Sequence, residues 1–266
     1  MEKTIILQGS ITNSNILEVQ KCIDSIRSWF NRKLIISTWE VEDSYKLLNV
    51  DKIIALKDPG PGPFNGLYPI QQHCNLIRQI DGLNNAMSEC DDGLILKIRN
   101  DCLITKNVFD LYNNEDCFGV LSIFKKKIMV GNLMTINPDS TLEKNPCFRV
   151  SDWLYLGHKS DINSLCSVRK IINDTDYSSS FLGTEHILAY NLLKYYKFKN
   201  LNLNSFKRLE PFAWDYILNN FQVRNTISSC GVKNVGKWQH QPEDLPCYLT
   251  ESIYNERLNY YVANFT

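Results

Sequence analysis

The sequence predicts an α/β fold, a mostly parallel sheet with helices on both faces. Three observations predict it. Strand-like apolar runs alternate with helix-spaced apolar stripes over the first hundred residues. The stretch Asp92 to Ile104, DGLILKIRNDCLI, reads as a buried central strand that turns charged at Lys97, Arg99 and Asp101. Four strand ends in succession carry polar or turn chemistry: Gln8-Gly9, Thr38-Trp39, Asp58-Pro59-Gly60 and Asn100-Asp101. In a doubly wound sheet such ends share one edge, and ligands bind beyond it.

The elements follow in order. Thr4 to Leu7 is a first strand, ending at Gln8-Gly9-Ser10. Asn13 or Ser14 caps a helix whose stripe is Ile16, Val19, Ile23, Ile26 and Phe30. Lys33 to Ser37 is a second strand, running into Thr38-Trp39-Glu40, and Asp43 or Ser44 opens a short helix through Leu48. Lys52 to Leu56 is a third strand. A Pro/Gly loop, PGPFNGLYP, follows at 61–69, with Pro69 suited to a first helical turn. Leu76, Ile77, Ile80, Leu83, Ala86 and Met87 then make a second amphipathic helix before the central strand. The second half is less regular. Residues 116–124 and 127–136 read as a strand pair with Lys125-Lys126-Lys127 as a solvated tip. Phe148 to Gly157 reads as a strand, and Asp161 or Asn163 starts a short helix. Thr184 caps a helix over 187–198, with Glu185 in its first turn, where the dipole favours a carboxylate. Residues 206–225 mix strand and helix signals, and the Pro-interrupted tail turns weakly helical from Leu249.

Length and composition narrow the classes. The 266 residues are long enough for one large α/β domain, 1–266, or two small ones. Lys+Arg and Asp+Glu balance at 29 each, so no global field favours nucleic acid or an anionic membrane. Nine scattered cysteines lack Cys-x-x-Cys spacing and read as reduced core residues of a cytoplasmic protein. The N-terminal MEKTIILQGSI reads as a strand, not a signal peptide, and no stretch approaches the roughly 20 apolar residues of a membrane span. Gly-x-Gly-x-x-Gly, phosphate-loop, Gly-x-Ser-x-Gly and His-Glu-x-x-His patterns are all missing, which argues against the enzymes that use them. His73 and His186 fall within helices, and His158 and His240 in loops near acidic segments, where metal ligation is an option.

A carboxylate-rich cleft remains: Asp58, Asp101, Asp152 and Glu185. Oxygen ligands suit Mg²⁺ or Mn²⁺ bridging carboxylates to phosphates, and an Asp or Glu suits a general base. Arg78, Lys97 and Arg99 are candidate anion partners. The bland alternative for Asp101 is a salt-bridged strand end.

Gln8-Gly9, Ser37-Thr38-Trp39-Glu40, Asp58-Pro59-Gly60, Asn75-x-x-Arg78-Gln79 with Gly82-Leu83 and Ala86, and Leu96 to Asp101 resemble, in order and spacing, the WavE lipopolysaccharide-synthesis family. Phe148-x-x-Ser151-Asp152-Trp153-x-x-x-Gly157 resembles its second block, with an echo at Thr184-Glu185. The resemblance implies a GT-A-like, Rossmann-type fold with a mixed C-terminal acceptor half. It implies a glycosyltransferase that moves a sugar from a nucleotide-sugar donor to a lipopolysaccharide or capsule glycan, free or lipid-linked. Such an enzyme would be cytoplasmic, with the inner membrane face as a docking place. Residues 1–105 would bind the donor and 106–266 the acceptor. Gln8, Gly9, Thr38, Trp39 and Asp58 would surround base and ribose, with Asn75, Arg78, Lys97, Arg99 and Asp101 at the cleft. Asp152 and Trp153 would meet the acceptor, and Glu185 or Asp152 would act as base. The family's Asp-x-Asp-like metal motif is here Arg99-Asn100-Asp101, with one acid. Asp101 would hold Mn²⁺ or Mg²⁺ alone or with help, or the enzyme would work without metal. The rival readings are a non-catalytic nucleotide- or glycan-binding module and a sugar-phosphate nucleotidyltransferase.

Overall fold

The computed structural model describes residues 1–39, 45, 48–58, 74–133, 135–140, 148–172, 184–202, 205–206, 208–235, 245 and 247–265, with the backbone alone at 74–75 and 264–265. Glu40, most of the helix expected from Asp43 or Ser44, the loop at 59–69, His73, the Asn75 side chain, Gly183 and His240 lie outside the described residues.

Four strands of the first hundred residues form where strands were expected. They are β1 (Glu2–Gln8), β2 (Lys33–Trp39), β3 (Lys52–Leu56) and β4 (Gly93–Arg99). They lie side by side in the order β3-β2-β1-β4, all parallel. The chain runs outward from β1 to β2 and β3, then returns to place β4 on the other side of β1. The switch point of the sheet therefore falls between β1 and β4, a position where ligands gather beyond the strand ends.

The helices cover opposite faces. Helix α1 (Ile16–Trp29) packs Val19, Ile23 and Ile26 in one apolar cluster with Ile5, Leu7, Leu34, Ile36, Leu96 and Ile98. Helix α2 (Cys74–Ser88) packs Leu76, Ile77, Ile80, Leu83 and Met87 in a second cluster with Ile6, Ile35 and Ile95. The alternate residues of each strand thus divide between two layers. On the α2 face the apolar residues give way to polar ones toward the carboxyl edge. Ile6 is followed by Gln8, Ile35 by Ser37 and Trp39, and Ile95 by Lys97 and Arg99.

The second half extends the same sheet. Strands β6 (Ile128–Gly131), β7 (Leu154–His158) and β8 (Phe221–Arg224) complete the order β3-β2-β1-β4-β7-β6-β8. Strand β7 runs antiparallel to both β4 and β6, and β8 runs parallel to β6. A separate ribbon pairs β5 (Cys102–Ile104) with β9 (Val232–Asn234). Helices α3 (Lys159–Cys166), α4 (Arg169–Ile172), α5 (Thr184–Tyr196), α6 (Ala213–Asn220) and α7 (Glu251–Phe265) complete the described elements. Among the described residues, no helix is long and apolar enough to cross a membrane.

Several local expectations are revised. Residues 116–124 are not a strand; Asp116 makes an isolated bridge to Lys126, and the chain turns between them. Lys127 is not a solvated tip but buried, paired with Glu115 at 3.2 Å and lying over the Phe118 ring. Asn15, not Asn13 or Ser14, stands before α1, and its Oδ1 turns back to accept from the Thr12 N–H at 2.7 Å. The strand expected from Phe148 begins only at Leu154, so Asp152 and Trp153 lie in the approach to it. The seven described cysteines are thiols outside any disulfide, five of them buried.

Candidate active site

A cleft of about 660 Å³ opens beyond the carboxyl ends of β1, β2 and β4, within the range of small-molecule sites. Of the residues expected there, Gln8, Gly9, Trp39, Asp58, Arg78, Lys97, Arg99 and Asp152 line it. The cleft wall also includes Ser10, Ile11, Thr12, Tyr45, Gln79 and Asn100, which the sequence reading left out of the site. Gln79 and Asn100 stood inside the quoted motifs. Their neighbours in the chain, Arg78 and Arg99, drew the assignment because they are charged.

Close packing of α2 on the sheet sets the floor. A Cβ at Gly82 would fall 2.5 Å from Gln8 Nε2 and 3.0 Å from Ser37 Oγ. Its absence lets Ser37 Oγ donate to the Gly82 carbonyl at 2.9 Å and Gln8 Nε2 to the Gln79 carbonyl at 2.7 Å. At the end of β1, Gly9 has φ +155, and a Cβ there would meet Asn100 Oδ1 at 2.1 Å. The Asn100 side chain occupies that space and donates through Nδ2 to the Ser10 carbonyl at 2.8 Å.

The charged groups are arranged in pairs. Arg78 grips Asp58 with two bonds, 2.8 Å from Nε and 2.7 Å from Nη2. Arg99 grips Asp101 the same way, 3.0 Å from Nε and 2.8 Å from Nη2. Such forks are geometrically specific and stronger than neutral hydrogen bonds. Burial pushes the Asp101 carboxyl upward, but the Arg99 fork and charge outweigh it and hold the acid below its ordinary value.

Lys97 is 2 % exposed. Its Nζ donates to the Asp152 carbonyl and sits over the Tyr155 ring, its antiparallel register partner on β7. Burial lowers its pKa, against the pull of the Asp152 charge. The Asp152 carboxylate accepts from Gln79 Nε2 at 2.6 Å through Oδ2.

Four expected residues stand off the cleft wall. Thr38 is fully buried, and its Oγ1 accepts from the Ile11 N–H at 3.2 Å, which holds the loop after β1. Trp153 is 3 % exposed in the α1-side cluster, with the Arg99 guanidinium 5.6 Å from its ring centroid. A ring buried under a guanidinium has no open face for a sugar, so the structure gives it Arg99 rather than the acceptor as its partner. Asp101 stands behind Arg99. Glu185, in the first turn of α5, pairs with Arg149 at 3.6 Å among Phe148, Val150, Tyr155 and Leu188. Burial and then the Asp152 charge raise its pKa, with Arg149 opposing.

Among the described residues, the donor set for a metal does not fit. No group of three His, Cys, Asp or Glu side chains among them could hold one. Asp101 has both oxygens on Arg99, the arrangement of a salt-bridged strand end. His158 stands at the opposite edge of the sheet, in register with Leu94 and bonded to Asn114 at 2.9 Å.

The profile of a family described as WavE lipopolysaccharide synthesis matches residues 4–224. No curated protein sequence matches the chain. Among solved structures the chain is similar to an active-site mutant of LgtC, at 9% identity and TM-score 0.46, over 84% of this chain and 73% of that one. It is similar to the galactosyltransferase LgtC in complex with donor and acceptor sugar analogues, at 10% identity and TM-score 0.45, over 97% and 95%. The glycosyltransferase GlyE of Streptococcus pneumoniae TIGR4 gives 10% identity and TM-score 0.45, over 99% of this chain and 64% of that one.

Proposed function

The chain belongs to the WavE lipopolysaccharide synthesis family, and from that premise we propose that it is a GT-A-like glycosyltransferase of bacterial surface glycans. The donor is a nucleotide sugar and the acceptor a hydroxyl of a growing lipopolysaccharide or capsule glycan. The observation that carries this reading is the cleft at the switch point, where a parallel quartet of strands presents both cations and a carboxylate. In this reading 1–105 binds the donor and 106–266 supplies the acceptor side. The work is done at the cytoplasmic face of the inner membrane, where lipid-linked acceptors are assembled.

Asp152 is the general base. The other acids are engaged elsewhere: Asp58 is forked by Arg78, Asp101 by Arg99, and Glu185 is paired with Arg149 away from the cleft. Asp152 lines the cleft, and Gln79 orients it through one oxygen. The other oxygen takes the proton of the acceptor hydroxyl as that oxygen attacks the sugar's anomeric carbon. The bond from that carbon to the donor phosphate breaks, and the nucleoside diphosphate leaves with the bonding pair. A single displacement of this kind inverts the anomeric centre. Trp39, half-buried on the wall with Gln8 and the backbone at Gly9, faces the nucleoside.

The test is donor turnover. The purified protein is incubated with a panel of nucleotide sugars, and free nucleoside diphosphate is measured with and without a lipooligosaccharide acceptor. Release of a diphosphate from one donor, increased by acceptor and lost in Asp152→Asn, supports the reading. Tight binding with no release supports a binding module, and release of pyrophosphate supports a nucleotidyltransferase.

A further inference from the structure

We propose that Arg99 and Lys97 hold the donor's diphosphate in place of a divalent cation, with Asp101 fixing Arg99 rather than ligating a metal. This rests on the glycosyltransferase reading and adds to it the nature of the counter-charge.

The single acid of the Arg99-Asn100-Asp101 segment makes two good hydrogen bonds to the guanidinium two residues before it. It has further polar neighbours in Asn234 and Cys102. To bind a cation, Asp101 would have to break the fork and bring a second positive charge against Arg99. A structure that used Asp101 as a ligand would not place a guanidinium across both of its oxygens.

Arg99 itself is built as a fixed cation. It ends the central strand, lies over the Trp153 ring and lines the cleft. The fork uses one edge, Nε and Nη2, and leaves Nη1 on the other. A guanidinium anchored along one edge presents planar donors to phosphate oxygens with little freedom left to lose. Lys97 lies two residues earlier on the same face of β4 and also lines the cleft. Its buried ammonium has the Asp152 carbonyl and the Tyr155 ring as partners. An incoming anion would relieve the cost of its burial. Two cations of this kind, one planar and one compact, match the charge of a diphosphate.

The test is calorimetric titration of the full chain with nucleoside diphosphates (UDP, GDP, CDP and ADP), in EDTA and again in Mn²⁺ or Mg²⁺. One of them is expected to bind with a dissociation constant that changes by less than about threefold between the two conditions. Arg99→Gln should weaken it by about tenfold or more, the scale of a lost charge-assisted bond. Arg99→Lys keeps the charge and loses the fork, so it should fold and bind at an intermediate level. Asp101→Asn should weaken binding without creating or abolishing any metal response. Binding that vanishes in EDTA and returns with Mn²⁺, and whose metal response is lost in Asp101→Asn, overturns the proposal and leaves the glycosyltransferase reading standing. Failure of every diphosphate and every nucleotide sugar to bind in either condition overturns both.

Discussion

Gln79 Nε2 lies 2.6 Å from Asp152 Oδ2 and joins α2 to the segment that leads into β7. The bond links the half of the chain that packs the parallel strands to the half that carries the proposed base. Gln79→Glu sets a second carboxylate against Asp152. The acid limb of the pH–rate profile should then move to higher pH, because adjacent like charges resist the second ionisation. Gln79→Ala removes the hydrogen bond without adding a charge and should lower stability by about 1 kcal/mol. Rate profiles and thermal melts of both variants check this, and unchanged profiles would remove Gln79 from the machinery.

Lys97 stands where an apolar side chain would fold more easily. Lys97→Met should raise the melting temperature, corresponding to about 1 kcal/mol or more near neutral pH, since a buried cation is exchanged for a flexible apolar chain. The same variant should lose diphosphate affinity by about tenfold. Burial lowers the lysine's folded pKa below its ordinary 10.5, so the unfolded chain binds the extra proton. The burial penalty is therefore full at low pH and fades as pH rises toward 10.5. The stability advantage of Lys97→Met should shrink over the same range, and a pH series of melts measures it.

Gly82 is where α2 touches the sheet. Gly82→Ala brings a Cβ to 2.5 Å from Gln8 Nε2 and should displace the bond from Gln8 to the Gln79 carbonyl. The expected cost is about 1–3 kcal/mol, as for other overpacked contacts. Nucleotide affinity should fall with it, because Gln8 and Gln79 both line the cleft. Gly82→Ala with unchanged stability would mean that α2 moves freely over the sheet.

Two acids should pull the pH dependence of stability in opposite directions. Asp101 is held below its ordinary 3.8, so its stabilisation is present above 3.8 and is lost as pH falls through the folded value. Glu185 is raised above 4.5, so the fold loses stability as pH rises from 4.5 through its folded value. Asp101→Asn should flatten the acid side of the curve, and Glu185→Gln should remove the fall above 4.5. Chemical denaturation across pH 3 to 8 resolves the two. A Glu185→Gln curve parallel to that of the parent would mean the carboxyl is already solvated.

Much of the first half was legible because three of its four strands, β1, β2 and β4, are buried on two faces. Runs such as Ile5-Ile6-Leu7 and Leu94-Ile95-Leu96 stand out against polar ends, and Lys52–Leu56 emerges with the boundaries expected. The cleft was legible for the same reason, since charge at the end of an apolar run needs an outlet. The second half was harder. Strands β6 and β8 are four residues each, too short for alternation to declare itself, and β7 enters antiparallel through register with β4. Lys127 shows the limit of composition: three lysines in a row read as surface, but the third is buried against Phe118 and paired with Glu115. Asp101 and Trp153 were singled out for their chemistry, while their partner in the fold is Arg99, which only coordinates disclose.

The division of β4 between two layers makes its numbering parity a functional property. Odd positions Ile95, Lys97 and Arg99 face α2, and even positions Leu94, Leu96 and Ile98 face α1. Inserting or deleting one residue ahead of Lys97 would exchange the sets, sending an ammonium and a guanidinium into the oily layer and Ile98 into the cleft. A change of two would keep the sets in place and only slide them along the strand. Single-residue changes of length within β4 should therefore be purged.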